Sequence, residues 1–327
     1  MTRSHHASEA GQGGLFDEEI ALASEALEVE MQNSEAAPAG AALHYAASIS
    51  YVGTGYHGIA YQAGQRTVVG VLGVAIERAL RQPVDIVVAG RTDAGVHALD
   101  QVISFTGPPH KGGIDGLYQS LARQLPDDVS VNWVGLTDQS FSARHSAKYR
   151  HYLYRILPGA ERDALSSDRS WQVPFDLDLP AMRSASYVLI GEHDFAGFSK
   201  KGPEGASTIR RVFDARLSKR GRFVDFEIWA NAFCHQMVRG IVGTLVEVGR
   251  GKCSASSFAS SVLYPSGAKR LLAPPGGLYL VEVGYGEFSR AKDLDPLLFP
   301  VGEVPNSVYA ISSCLGRKSR PEQVLNR

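Results

Sequence analysis

Asp93 is the side chain whose neighbours best equip it for chemistry. It stands in Gly90-Arg-Thr-Asp-Ala-Gly-Val-His97, two residues after Arg91 and directly before a turn-forming Ala94-Gly95. A permanent guanidinium favours the charged form of a nearby carboxylate, and a charged carboxylate at a strand end can serve as nucleophile or base. A plainer role fits the same residues. Aspartate near glycine often caps a β-turn with its own side chain, and adjacent Arg and Asp often form weak surface pairs. Arg239 is a second candidate, in the apolar run His235-Gln-Met-Val-Arg-Gly-Ile-Val-Gly-Thr-Leu-Val-Glu-Val248. A guanidinium in such company is costly unless paired, and Glu247 is two turns away, too far for a normal pair within one helix. Tyr152 is the third, in Tyr149-Arg-His-Tyr-Leu-Tyr154, where strand alternation puts Tyr152 and Tyr154 on one face. Core packing is the commoner use of a tyrosine so placed.

These residues need elements to hold them. Asp85–Ala89 reads as a strand running into the Asp93 turn, and Gln101–Phe105 as the strand leaving it. Ala46–Val52 is a strand before Gly-Thr-Gly. Val68–Arg81 carries Val71, Leu72, Ala75, Ile76, Ala79 and Leu80 at helical spacing. Tyr118–Leu125 predicts a second helix closed by Pro126, and Val129–Val134 and Tyr149–Ile156 return to strand. The second half repeats the order: helix Leu179–Ile190, strands Val212–Ser218 and Arg222–Trp229, helix His235–Val248, short helix Ser256–Tyr264, strand Leu278–Gly284. Both halves read as a split β-α-β, ferredoxin-like unit without residue-level repetition. The expected class is α+β: two such units forming a continuous, mostly antiparallel sheet around a central cleft. The expected segments are an acidic, disordered extension over 1–42, a domain bearing Asp93 over 43–147, a second domain over 148–290, and a tail over 291–327.

A chain of 327 residues with 44% hydrophobic content can bury cores of this size. No apolar run approaches the ~18 residues needed to span a bilayer, and no secretory signal is visible, so a cytoplasmic location without membrane partners is expected. Cys234, Cys253 and Cys314 are odd in number and widely spaced, which fits a reducing compartment and argues against disulfides or zinc. The net charge of −1 conceals an asymmetry. Residues 1–43 hold Arg3 against eight acidic residues, a net −7, which leaves +6 on the remainder. A mildly basic body fits a nucleic-acid partner. In the extension, Phe16, Ile20, Ala23 and Leu27 can line one face of an acidic helix, and an acidic mimic of RNA is a lesser reading of it.

The string Gly90–His97 resembles the signature of the tRNA pseudouridine synthase A family. The resemblance continues in family order through Tyr51-Val-Gly-Thr-Gly-Tyr-His-Gly58, Arg66–Leu72, Leu125-Pro-Asp-Asp-Val129, Phe141-Ser-Ala-Arg144, Tyr149–Ile156, Gly191-Glu-His-Asp-Phe195, Asn231–Gly243 and Ala273-Pro-Pro-Gly-Gly-Leu-Tyr-Leu280. It covers about Leu43 to Tyr285. Val52, Ile59 and Ala122 stand where the family usually has Asp, Trp and Asn; these departures bear on substrate contacts and packing more than on chemistry.

The resemblance implies isomerisation of uridine to pseudouridine in the anticodon stem-loop of tRNA, at positions 38–40, by a homodimer without cofactor or metal. A C–N glycosidic bond breaks and a C–C bond to the same ring forms. The chain carries no G-x-x-x-x-G-K-[ST], C-x-x-C or H-E-x-x-H motif. The resemblance assigns Asp93 as the catalytic carboxylate and sets Arg239 against it. Tyr152, chosen by register, would lie under the extruded base, and its hydroxyl would serve proton transfer from C5. Arg91 would prop the vacated stack and hold phosphate, sharing a face with Asp93 if the strand end is extended. His57 and Arg144 would touch RNA, and Leu278 and Leu280 would form an apolar pocket wall. His97, His193 and His235 are not spaced as metal ligands and are expected to serve turns or packing. Two rival functions remain at this stage: a tRNA-binding chaperone of the same fold that has lost catalysis, and a hydrolase of small nucleosides acting through Asp93 and Asp100.

Overall fold

A computed structural model describes residues 42–264, 271–286 and 288. Residues 1–41 of the expected extension, with the acidic helix read there, and the whole expected tail lie outside the described residues.

Ten strands form one sheet: β1 (Leu43–Tyr51), β2 (Val87–Val88), β3 (His97–Gly107), β4 (Val129–Leu136), β5 (Tyr149–Pro158), β6 (Trp171–Val173), β7 (Gly191–Asp194), β8 (Ile209–Arg220), β9 (Phe223–Ala230) and β10 (Leu278–Gly284). The order is β4-β1-β3-β10-β5-β9-β8-β7, with β2 on β3 and β6 on β5. Five α-helices occur among the described residues: α1 (Val68–Leu80), α2 (Gly113–Gln124), α3 (Leu179–Ser186), α4 (Met237–Gly249) and α5 (Ala255–Leu263). The class is therefore α+β with a mostly antiparallel sheet. Counting the major strands of each half separately, both run in the order fourth, first, third, second: β4-β1-β3-β2 and β10-β5-β9-β8. The halves meet where β10 pairs parallel to β3, through Tyr279↔His97 and Leu280↔Ala98.

Local chemistry accounts for the helices. Thr67 caps α1 by accepting from the Gly70 N–H at 3.2 Å, and Arg81 ends it in the left-handed region at φ 57°. Val68, Val71, Leu72, Ala75, Ile76 and Leu80 supply its buried face. α2 begins at Gly113, five residues before the expected Tyr118, because Gly112 and Gly113 form a weak start that spacing does not reveal. α3 stops at Ser186 and tightens to a 3-10 turn through Leu189. Helix α4 is buried almost all round, with Met237, Val238, Ile241, Val242, Leu245, Val246 and Val248 inside. It packs among α3, α5 and β5, and against residues 271–273. Gly243 is required there, since an added Cβ would overlap the Leu271 carbonyl. The short strands β6 and β7 were not anticipated.

Along β5, Tyr152, Tyr154 and Ile156 join the main core, whereas Leu153 points to the opposite face with Tyr279 and Val281. Alternation thus places the tyrosine pair as read. None of the helices in the described residues is long and apolar enough to cross a membrane.

Candidate active site

The Asp93 turn is held from three directions. Val87–Val88 is the whole of β2, so Arg91 and Asp93 stand on a loop between β2 and β3 rather than on an extended strand end, and the shared strand face expected for them does not exist. From upstream, residues 53–59 cradle that loop. Gly53 N–H donates to His97 Nδ1 at 3.1 Å, Gly95 N–H to the Tyr56 carbonyl at 3.3 Å, and Ile59 N–H to the Thr92 carbonyl at 3.3 Å. Gly58 has φ +95°, and a Cβ on it would lie 2.9 Å from the Thr92 oxygen, so glycine is needed for conformation and for close approach. The Tyr51 hydroxyl and Thr92 Oγ1 share a bond of 2.7 Å; burial pushes the Tyr51 phenol up to about 12. Tyr56 donates to Asp128 at 2.6 Å and Arg66 pairs with Asp128 at 3.0 Å, which ties the Leu125–Val129 stretch to the same cradle.

From β3, Gln101 grips Gly90 on both backbone groups, accepting from its N–H at 3.1 Å and donating to its carbonyl at 2.7 Å. From β5, buried Arg150 spends five N–H donations on four carbonyls. Nε and Nη2 reach Ala89, Nη1 reaches Ala147 and Asn231, and Nη2 also reaches Arg144, over 2.8–3.3 Å. Burial draws its guanidinium below the ordinary arginine value. Arg150 therefore fastens the segment before Asp93, the Arg144 loop and the segment before α4 to one point.

Helix α4, in the same half of the chain as β5, closes the site. Arg239 on α4 donates through Nη1 to Asp93 Oδ2 at 2.6 Å and through Nε to the Ala273 carbonyl at 2.8 Å. Its side chain is 11% exposed and that of Asp93 23%. Glu247, the rival partner, pairs instead with Arg250 at 3.1 Å. The close approach permitted by Gly243 brings the 271–273 segment against α4, where Ala273 can aim Arg239. The second Asp93 oxygen faces His235: Nε2 lies 3.3 Å from Oδ1. His235 was expected to serve a turn or packing. It is instead a half-exposed member of the site, because Gln236 adopts the left-handed conformation at φ 63° and turns the chain there into α4.

These groups line one open cavity of about 1100 Å³. Asp93, Tyr152, Arg239, Arg91, His57, Arg144 and Leu278 all contribute to its wall. Leu280 does not: it shares the strand face of Leu278 but is fully buried, paired with Tyr152 across β10 and β5 and packed beneath Gly90. Tyr152 meets Phe233 edge to face at 4.9 Å between ring centroids, and burial holds its phenol above the usual tyrosine range. Asp100, invoked for the hydrolase reading, is buried and accepts a bond from Ser48, away from the cavity. Five arginines line the cavity (91, 144, 150, 210 and 239) against Asp93 alone among acidic residues. Such a lining draws in a polyanion although the whole chain is nearly neutral. Among the described residues no cluster of three or more His, Cys, Asp or Glu is arranged to hold a metal. His97, buried, bonds to backbone and stacks on Tyr279 at 4.8 Å, a packing role as expected. Sequence reasoning missed Arg150, Phe233, Arg210 and the role of His235; an arginine inside the Tyr149–Ile156 strand was the available signal for the first.

A family model described as tRNA pseudouridine synthase matches residues 185–286. The chain is similar to proteins named tRNA pseudouridine synthase A. That of Thermoanaerobacter sp. (strain X514) is 39% identical over 238 residues, 72% of this chain and 97% of the relative. That of Methylococcus capsulatus is 38% identical over 253 residues, 77% and 93% of the two chains, and that of Blochmanniella floridana 35% over 241 residues, 73% and 95%.

Proposed function

Since this chain belongs to the tRNA pseudouridine synthase A family, we propose that it isomerises uridine to pseudouridine in the anticodon stem-loop of tRNA, at positions 38–40. The observation that carries the reading is the ion pair between Asp93 and Arg239, made across the two halves inside an arginine-lined cavity that also holds Tyr152.

The chemistry follows from that arrangement. A uridine in a stem-loop is stacked, so it must swing out before a carboxylate in a cavity can reach it. Arg91, exposed at the mouth, props the vacated stack, while Arg144 and His57 hold the backbone. Tyr152 and Leu278 receive the base; stacking on an aromatic face contributes about 1–3 kcal/mol. Asp93 then acts at the nucleoside while C1′–N1 breaks and C1′–C5 forms. One proton leaves C5 and one arrives at N1, so the product is an isomer. Arg239 holds the carboxylate anionic and aimed. None of Val52, Ile59 and Ala122 lines the cavity: Ile59 is buried packing, Ala122 is exposed on α2, and Val52, half-buried after β1, donates its N–H to the Asp128 carbonyl.

We read residues 43–147 and 148–290 as two split β-α-β, ferredoxin-like units, which the repeated strand order supports. Family resemblance extends the reading to a cytoplasmic homodimer, which sedimentation tests. The decisive experiment is tritium release from 5-tritiated uridine in unmodified tRNA. The wild type should release it, and Asp93→Asn should release none while binding tRNA with affinity within a few-fold. Binding without release by the wild type would instead favour the catalytically inactive chaperone. Full turnover by Asp93→Asn would overturn the assignment of the carboxylate.

A further inference from the structure

The reading of Asp93 as the reacting carboxylate leaves one of its oxygens to account for. Oδ2 is committed to Arg239 at 2.6 Å, on a guanidinium that is itself fixed by Ala273 and nearly buried. Oδ1 is the oxygen left for the nucleoside, and His235 Nε2 already stands 3.3 Å from it. The two holders differ in kind. Arg239 sits within a helix and a clamp, whereas His235 precedes the helix and its side chain is 49% exposed at the cavity wall.

The backbone around His235 is built for this placement. Gln236 occupies the left-handed region, which is unfavourable for a non-glycine residue and persists only where the surroundings impose it. Two bonds impose it here: Met237 N–H to the Cys234 carbonyl at 3.1 Å, and Lys200 N–H to the His235 carbonyl at 2.9 Å. The turn puts His235 and Arg239, four residues apart, on the two oxygens of one carboxylate.

Resting on the pseudouridine synthase reading, we propose that His235 is a positioning residue that holds the reactive oxygen of Asp93 in the free enzyme and yields it to the extruded uridine. An imidazole carrying its proton on Nε2 donates a hydrogen bond that aligns Oδ1 and is easily exchanged for the nucleoside. An imidazolium makes a charge-assisted bond, roughly twice as strong, and leaves both Asp93 oxygens on cations. Displacement is then harder and the carboxylate less reactive. A rate of release that falls as the pH is lowered is therefore the signature of this exchange. The charged and titratable groups around His235 are Asp93 by contact, Arg91, Arg144, Arg150, Arg210, Arg239, His57 and Tyr152 along the cavity wall, and the neighbouring Cys234. His57 is the other imidazole lining the cavity, so it needs its own control.

The test is the single-turnover rate of tritium release at saturating enzyme, from pH 5.5 to 8.5, for wild type, His235→Gln, His235→Ala and His57→Gln, with tRNA affinity measured in parallel. Glutamine keeps a neutral donor without titration. His235→Gln is expected to hold within about threefold of wild type at pH 8.5 and to lose the acid limb. His235→Ala should fall at least tenfold at pH 8.5 with little change in tRNA affinity, and His57→Gln should retain the limb. Wild-type rate and pH profile in both His235 variants would overturn the proposal, as would an unchanged acid limb in His235→Gln or its loss in His57→Gln. A wild type that forms no pseudouridine would instead overturn the functional reading beneath it.

Discussion

Arg150 is the residue whose removal should cost the fold most for a single side chain near the site. Its five donations end on four carbonyls from three stretches of chain: Ala89, Arg144 with Ala147, and Asn231. Arg150→Met keeps length and apolar bulk while deleting every donor. The Ala89 bonds are buried, so that carbonyl bears the full penalty of an unmade bond, about 1–3 kcal/mol. The other three acceptors are partly buried and recover some hydration, at about 0.5–1 kcal/mol each. Relief from desolvating a guanidinium offsets part of this. The net expectation is a loss of about 3 kcal/mol, a large share of the roughly 5–15 kcal/mol that holds a typical protein folded. Urea denaturation followed by both far-UV circular dichroism and tryptophan fluorescence measures it, and coincident curves justify a two-state treatment. Arg150→Lys should recover less than half, because one ammonium cannot reach carbonyls on three segments. A loss below about 1 kcal/mol for the methionine variant would refute the reasoning, since it would mean that those carbonyls find other donors without Arg150.

Three further outcomes follow from single observations. Gly243→Ala should destabilise the protein and depress turnover together, because its Cβ would push the 271–273 segment and with it the Ala273 carbonyl that aims Arg239; urea midpoint and tritium release read the two effects. Arg81→Gly should stabilise by up to about 1 kcal/mol, as glycine adopts the left-handed end of α1 without a Cβ penalty, and an unchanged midpoint would count against it. Burial draws His97 below the ordinary imidazole value, with its backbone bonds opposing. The unfolded chain therefore binds the proton first, and stability falls as pH drops below about 6.5 towards the lower folded value. His97→Gln, which cannot titrate, should lose less stability than the wild type between pH 7 and 5.

Where periodicity is long and unbroken, the sequence was readable: β10 and α1 appear at or within one residue of their expected bounds. It failed where an element is too short to show a period, as in β6 and β7, or opens on glycines, as in α2. The site divides along a similar line. Asp93 stood out because its own neighbours are unusual, and Arg239 because a cation in an apolar helix demands a distant partner. Arg150 and His235 gave no comparable sign. An arginine in a strand between tyrosines does not reveal that carbonyls from three loops converge on it, and a histidine before a helix does not reveal a carboxylate from the other half.

That division has a physical consequence for how the site is built. Asp93 lies in one half of the chain, and Arg239 and His235 lie in the other, so the carboxylate is fully dressed only when the halves dock through β3 and β10. Only two residue pairs make that parallel junction, and parallel pairing is slightly the weaker kind. The side-chain contacts across it must therefore share the work of docking: the Asp93–Arg239 pair, the Arg150 bonds to Ala89, and the stacking of His97 on Tyr279. A site formed at a junction couples catalysis to docking. Any substitution that loosens the junction should lower turnover before it unfolds either half, whereas one confined to the far edge at β4 or β7 should cost stability with turnover per folded molecule unchanged. Comparing Tyr279→Ala with a truncation in β4 such as Val131→Ala, at matched loss of stability, separates the two, and equal turnover in both would show that the halves dock without help from those contacts.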